Sequence, residues 1–174
     1  MKLFIVFLIF CPILLLSQQN QLIVMREQAI IEYGKELQSF LQEREELLKT
    51  EDTEQNRNYI ERLKQKMSNL YVTDENENPI EIQNPQNSPI QFKPIGLRDK
   101  KYRQILKKGV SFIKVFTKME SNRFIVTILD AGSSYKKGRL FFLTSSDGGK
   151  KVVFEYSCED DKWKPVQEDI SRSK

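Results

Sequence analysis

The sequence predicts an α+β protein, in which a helical hairpin precedes a β-hairpin, a short basic helix and a C-terminal antiparallel β-meander. Three observations support this prediction. Apolar residues recur every three or four positions over residues 21–70, as they do along one face of a helix. Residues 123–166 are rich in β-branched and aromatic residues that alternate with polar ones or form short apolar runs. Prolines and polar turn residues separate the two parts.

Residues 1–17 have the features of a secretory signal peptide. Lys2 is followed by fourteen uncharged, mostly large apolar residues, fewer than the roughly 20 that a membrane-spanning helix needs. We expect cleavage near Ser17 and a mature protein in the periplasm or outside the cell. In the alternative, residues 22–25 extend the apolar segment, and the uncleaved leader acts as a single-pass signal anchor.

Residues 18–71 are expected to form the helical hairpin. The apolar stripes predict one helix over residues 21–49 and a second over residues 54–70. Thr53 can cap the second helix, and the short joint favours a fold-back over a single long rod. We interpret the two stripes as core-packing surfaces rather than as a dedicated partner-binding face.

Residues 72–97 are expected to contain the end of a β-hairpin and a proline-rich linker. The runs at residues 70–73 and 79–82 flank a polar turn, which is typical of a hairpin. Residues 84–94 contain three prolines. Proline donates no backbone hydrogen bond and disfavours helix before it, so this linker is expected to lie extended on the surface.

Residues 98–167 are expected to form the antiparallel sheet region, and residues 168–174 a frayed tail. A basic helix should end at Gly109, and residues 110–119 favour a strand, although their spacing also permits a helix. A polar connection is expected at residues 132–138 and a tight turn at residues 146–149. The remaining strands are expected at residues 123–129, 139–144, 151–158 and, as a short edge strand, 162–166.

This order of elements is similar to that of NTF2-like cone folds. The resemblance rests on element order and on no signature residue. It implies a curved sheet wrapped around helices, a scaffold that hosts both enzymes and binding modules, so the fold by itself does not define the function.

The composition argues against most kinds of enzyme. The chain has no histidine, which removes the commonest general base and metal ligand. After cleavage only Cys158 remains, so no internal disulfide can form, and we expect this thiol to be a buried small hydrophobe. No known catalytic or phosphate-binding motif is present. We therefore predict no catalytic residues, no metal and no cofactor.

Charge is unevenly distributed along the chain. Residues 26–71 hold eight basic and ten acidic residues, whereas residues 98–174 hold eighteen basic and ten acidic ones, a net charge of about +8. Such a region favours anionic partners, among them phosphates, an acidic protein or an anionic membrane surface. The candidate anion or surface contact consists of the basic residues Arg98, Lys100, Lys101, Arg103, Lys107 and Lys108.

These observations predict an exported, non-enzymatic binding or accessory protein that docks on another protein of the cell envelope. The contact would use the helical hairpin or the concave face of the sheet. One alternative is a membrane-anchored envelope subunit, and another is a small-ligand binder or hydrolase with a pocket between sheet and helices. Nucleic acid is not an expected partner of an exported chain.

Overall fold

A computed structural model describes the backbone of residues 2–83 and 90–166, and the side chains of residues 19–83, 90–144 and 148–166. It confirms an α+β fold in which helices pack on a mixed, curled sheet. The helices are α1 (Lys2–Leu48), α2 (Glu54–Ser68) and α3 (Arg103–Lys107), which follows a single 3-10 turn (Lys100–Tyr102). The strands are β1 (Leu70–Asp74), β2 (Phe92–Pro94), β3 (Ser111–Glu120), β4 (Arg123–Lys136), β5 (Arg139–Ser157) and β6 (Lys162–Val166).

The helical hairpin forms as predicted, with α2 folded back on α1. The Thr53 side chain accepts a hydrogen bond from the Asn56 amide and caps α2. The sequence placed the start of the first helix near residue 21, but α1 begins at Lys2 and runs without a break past Ser17. The central part of both stripes, including Ile30, Tyr33, Leu63 and Met67, is buried in the core, as a core-packing surface requires, whereas Ile23 and Leu47 near the two ends of the α1 stripe are more than 40% exposed.

The sheet has the strand order β2-β1-β3-β4-β5-β6. Strand β1 is parallel to both β2 and β3, while the remaining neighbours are antiparallel. The predicted antiparallel meander is therefore confirmed for β3 to β6, and residues 111–120 are a strand rather than a helix. Strand β4 lies between β3 and β5, as its apolar sequence predicted.

The predicted β-hairpin at residues 70–82 forms only in part, because its second arm is not a strand. The turn after β1 forms, but only one antiparallel bridge, between Thr73 and Pro79, continues it. The reason is competition for the edge of β1. Residues Leu70 to Val72 pair with β2 on one side, and β3 occupies the other, so beyond Pro79 only one backbone hydrogen bond reaches β1, from the Ile80 amide to the Val72 carbonyl oxygen at 3.3 Å.

The proline-rich linker was expected on the surface, and this is wrong for its second half. Ile90 and Phe92 are only 2% and 4% exposed, and Phe92 lies in β2. Gly34 of α1 makes room for them, because a Cβ there would lie 2.9 Å from the Phe92 ring. Residues 84–89 lie outside the described part of the chain, as does the expected frayed tail after residue 167.

The glycine pair at residues 148–149 does not form the expected turn. Strand β5 continues through it, but residues 145–148 of β5 lie opposite the single residue Asp130 of β4, so the irregularity is a bulge within the strand. The expected polar connection at residues 132–138 is also mostly strand. The chain reverses at Lys137 and Gly138, whose φ values of 48° and 79° are typical of a two-residue hairpin turn.

Two cores lie on opposite faces of the sheet. In β3, Phe112 points to one core and Ile113 to the other, as alternation along a strand requires. The first core lies between the helical hairpin and the sheet, and the second lies under α3 and the segment before it. Trp163 of the edge strand packs against the first core and meets the Tyr156 ring edge-on. Cys158, expected to be buried, is an exposed free thiol.

Candidate functional site

The basic segment is a short helical turn held on the second core. The Asp99 side chain accepts a hydrogen bond from the Lys101 amide and starts the 3-10 turn, and Gly109, with φ of 76°, ends α3 as predicted. Leu106 is buried and faces the sheet. This arrangement leaves most of the lysine and arginine side chains on the outside.

The six predicted contact residues do not form one cluster. Arg98, whose side chain is 81% exposed, forms an ion pair with Glu77, with 2.6 Å between Nε of Arg98 and Oε2 of Glu77. Lys101 lies above the Tyr102 ring, and Lys107 lies above the Tyr135 ring at 5.1 Å. Within the described residues no ion pair forms to the other three, Lys100, Arg103 and Lys108.

One buried serine of strand β4, Ser133, holds α3 in place by hydrogen bonds. The Ser133 hydroxyl donates a hydrogen bond to the Leu106 carbonyl oxygen at 2.8 Å and accepts one from the Val110 amide at 3.0 Å. The Ser133 amide donates to the Val110 carbonyl at 2.9 Å. These bonds fix α3 beside the β4–β5 turn, so Lys107 and Lys108 lie on the same end of the molecule as that turn.

The β4–β5 turn adds a group of residues that sequence reasoning missed. Lys136, Lys137 and Arg139 surround the turn, and four large apolar side chains nearby are 40% to 63% exposed. The signal available in the sequence was Gly138 itself, which lies directly before the predicted strand at residues 139–144, because glycine favours the positive φ that a two-residue hairpin turn requires. We call this region the tip surface; it consists of Lys107, Lys108, Tyr135, Lys136, Lys137, Arg139, Phe141, Phe142 and Leu143.

Strand pairing distributes the tip surface over both faces of the hairpin. Ser134 pairs with Phe141 and Gly132 with Leu143, so these two apolar residues share one face with Lys136 and Arg139. Tyr135 and Phe142 lie on the other face, where Phe142 meets the Phe112 ring edge-on at 6.0 Å between centroids. No acidic residue occurs in the sequence at positions 100–119 or 131–146.

A second polar cluster joins the helical hairpin to the sheet. Oδ1 of Asp130 accepts a hydrogen bond from the Tyr33 hydroxyl at 2.5 Å and lies 2.7 Å from the Lys66 ammonium. The Lys66 ammonium also lies 3.1 Å from the Tyr33 oxygen. Lys66 and Asp130 are only 17% and 18% exposed, so the pair is largely shielded from water. We interpret the cluster as a structural link, because its donors are engaged within the protein.

Within the described residues, no group of three or more carboxylate or thiol side chains could hold a metal ion. The same part of the chain contains no helix with an apolar stretch long enough to cross a bilayer.

Three cavities formed by described residues are lined only by α1, α2 and their joint, and one of them, beside Arg44 and Ile60, measures about 40 Å³. Buried side chains of the first core occupy the interface where a small-ligand pocket was expected.

No family model, no curated protein and no solved structure matches this chain. The NTF2-like cone inferred from element order is therefore not confirmed. The fold and the site define the protein only as an α+β chain with a helical hairpin on one face of a mixed sheet and a basic, partly apolar tip at one end.

The ion pair between Arg98 and Glu77 predicts that the stability of the fold depends on pH. A hydrogen bond from Arg98 holds the pKa of Glu77 below its ordinary value, with a smaller contribution from Lys114, 3.6 Å away. A carboxylate with a lowered pKa stabilises the fold above its unfolded pKa of about 4.3, and this contribution is lost as the pH falls through the folded value.

We expect Glu77→Gln to lower the free energy of unfolding at pH 7 by up to about 1 kcal/mol, as for an exposed pair. The difference from wild type should begin to shrink near the unfolded pKa of about 4.3 and disappear once the pH is below the lowered folded pKa of Glu77. Urea denaturation at several pH values measures this. A difference between the two proteins that stays constant from pH 7 to pH 3 would contradict the assignment.

Proposed function

We propose that this chain is an exported, non-enzymatic accessory protein of the cell envelope that acts by binding another envelope component through its tip surface. The short apolar leader and the absence of histidine support export and a non-catalytic role. The helical hairpin, interpreted as one candidate contact, has most of its stripe residues in the first core, and its four exposed apolar side chains are spread over residues 23–59 rather than gathered at one place. It therefore serves as scaffold in this proposal.

The observation that carries the proposal is the concentration of exposed apolar side chains at the tip. Of the nine large hydrophobic side chains that are exposed in the described part of the chain, four lie within residues 135–143. Single exposed apolar residues are ordinary, whereas several together mark an interaction surface. Their basic neighbours point to an anionic partner.

Cell fractionation with tip variants tests this proposal. We expect the wild-type protein to lack residues 1–17 and to be retained with the envelope. A Phe141→Ser/Leu143→Ser variant should be exported equally well but released in soluble form. Val24→Ser, which removes an exposed apolar side chain from α1, is the control and should be retained. A wild-type protein found in the cytosol with its leader attached would overturn the proposal.

A second candidate, the membrane-anchored envelope subunit, is favoured by one observation. The α1 helix is continuous from Lys2 through Ser17 and into the part that packs on the sheet. An uncleaved leader would then extend directly from the folded domain. The intact mass of the native protein distinguishes the two forms, because retention of residues 1–17 supports the anchor and their loss excludes it.

A further inference from the structure

We propose that the tip surface binds the anionic headgroups of a lipid bilayer, with Phe141 and Leu143 entering the interfacial region. This inference rests on the proposed function, because it takes the tip surface as the binding surface and names its partner. Lipid phosphate is the chemistry that would be recognised, and basic side chains beside exposed aromatic and aliphatic ones are the groups that recognise it.

The charges of the tip surface are free to meet an external anion. Within the described residues, no ion pair forms to the basic groups at the turn, Lys136, Lys137 and Arg139. The nearest acidic residue before the turn in the sequence is Asp130, whose carboxylate already binds Lys66 and Tyr33. A phosphate approaching the tip therefore meets several cations, and neither neighbouring segment of the sequence adds an acidic group to repel it.

The distribution of apolar side chains favours a bilayer over a protein partner. Phe141 and Leu143, 46% and 63% exposed, lie on one face of the hairpin, while Tyr135 and Phe142, 40% and 41% exposed, lie on the other. A protein that docked on one face would leave the other pair in water. A lipid interface surrounds an inserted hairpin and can cover both pairs at once.

The positions of the charges limit how the hairpin enters. Lys136 and Arg139 pair directly beside the turn, so insertion along the strand axis would carry them deepest. Lysine and arginine instead keep their charged groups at the phosphates while their stems cover apolar surface. We therefore infer a limited depth of insertion, in which the stems of Lys136 and Arg139 reach back to the phosphates and the apolar side chains of both faces lie about 5 to 10 Å into the interfacial region.

The experiment uses the full chain with an environment-sensitive fluorophore at a single site. In a Cys11→Ser/Cys158→Ser background, Leu143→Cys carries the label. We expect vesicles that mix phosphatidylglycerol with phosphatidylcholine to shift its emission to the blue and to raise its intensity. Spin-labelled lipid should then quench it. The label reports the tip alone, so membrane association through the leader does not produce this signal.

The control label is placed on the exposed outer side of α2, through Arg62→Cys. Its emission should stay that of an aqueous fluorophore with the same vesicles. Vesicles of phosphatidylcholine alone, or high salt, should suppress the response at position 143, because surface attraction is screened beyond a Debye length. An unchanged emission at position 143, or equal changes at both positions, would overturn the inference.

A charge-matched pair of variants tests the basic groups. Each basic residue near an anionic surface contributes about fivefold to binding, so removing three should raise the half-saturating lipid concentration at least about tenfold. The tip variant is Lys136→Gln/Lys137→Gln/Arg139→Gln. The control has the same net charge and should shift by less than about twofold; it is Arg57→Gln/Arg62→Gln/Lys64→Gln on α2. If both variants raised the half-saturating lipid concentration equally, the effect would come from net charge alone, and the tip surface would not be the binding site.

Failure of this inference is distinguishable from failure of the proposed function. If vesicles are not bound but the Phe141→Ser/Leu143→Ser variant is still released from the envelope, the tip surface binds a protein and only the lipid assignment fails. If vesicles are not bound and this variant is retained like wild type, the tip surface is not a binding surface and both proposals fail.

Discussion

Asp130→Ala is expected to lower the free energy of unfolding by about 2 to 3 kcal/mol. The substitution removes the acceptor that holds the Lys66 ammonium at 2.7 Å and the Tyr33 hydroxyl at 2.5 Å. Both partners would remain largely shielded from water without a replacement. Breaking a buried pair by removing one member costs more than the pair contributes, because it leaves an uncompensated charge. Urea denaturation followed by circular dichroism measures the loss.

Two further variants separate charge from hydrogen bonding in this cluster. Asp130→Asn keeps an oxygen for the Tyr33 hydroxyl but leaves Lys66 unpaired. Its free energy of unfolding should therefore lie between those of wild type and Asp130→Ala. Adding Lys66→Met to Asp130→Asn should recover part of the stability, because it removes the unpaired charge. Glu46→Ala, which breaks an exposed pair with Lys49, is the control and should cost less than about 0.5 kcal/mol. An Asp130→Ala effect no larger than this control would contradict the assignment.

Gly149→Ala is expected to cost about 2 to 3 kcal/mol, because β4 passes too close for any side chain. A Cβ at this position would lie 2.5 Å from the Ile128 carbonyl oxygen, a backbone atom of the neighbouring strand. The backbone would have to move, as in an overpacked core. The urea midpoint of the variant measures this, and Gly149→Val should lower it further.

The control for this prediction is Gly138, which lies in the β4–β5 turn. It has a φ of 79°, and a Cβ added there would meet no atom within 4 Å, so Gly138→Asn should cost less than about 1 kcal/mol. If residues 146–149 formed the turn that their sequence indicates, Gly149→Asn would be tolerated in the same way. A Gly149→Asn variant as stable as Gly138→Asn would contradict the continuous β5 strand.

The pair Gly148 and Asp130 connects the two predictions. A Cβ on Gly148 would lie 2.2 Å from Oδ2 of Asp130, whose other oxygen is held by Lys66 and Tyr33. The glycine therefore provides the space in which the carboxylate sits. Composition identified Gly148 and Gly149 as turn residues, but their role here is to permit close approach across the sheet.

The sequence predicted those features that depend on near neighbours in the chain. The stripe through Ile30, Tyr33 and Leu63 determined the helical hairpin, because a helix places residues three and four apart on one face. Gly109 determined where the basic helix ends, since its positive φ is favourable only for glycine and a few others. The alternation around Tyr156 predicted the C-terminal part of β5, and Pro165 was compatible with the edge strand that forms.

The tertiary structure alone decided which strand edges pair and which charges meet. The segment of Phe92 forms the strand paired with β1, whereas the segment of Ile80 contributes a single bridge at Pro79 and one backbone hydrogen bond to Val72. Asp130 and Lys66 are 64 residues apart in the sequence, so no pattern among near neighbours predicts their contact. The tip surface likewise arises from α3 and the β4–β5 turn, which Ser133 brings together. Local periodicity specifies the elements, whereas competition among distant segments for the same edges and cores decides their arrangement.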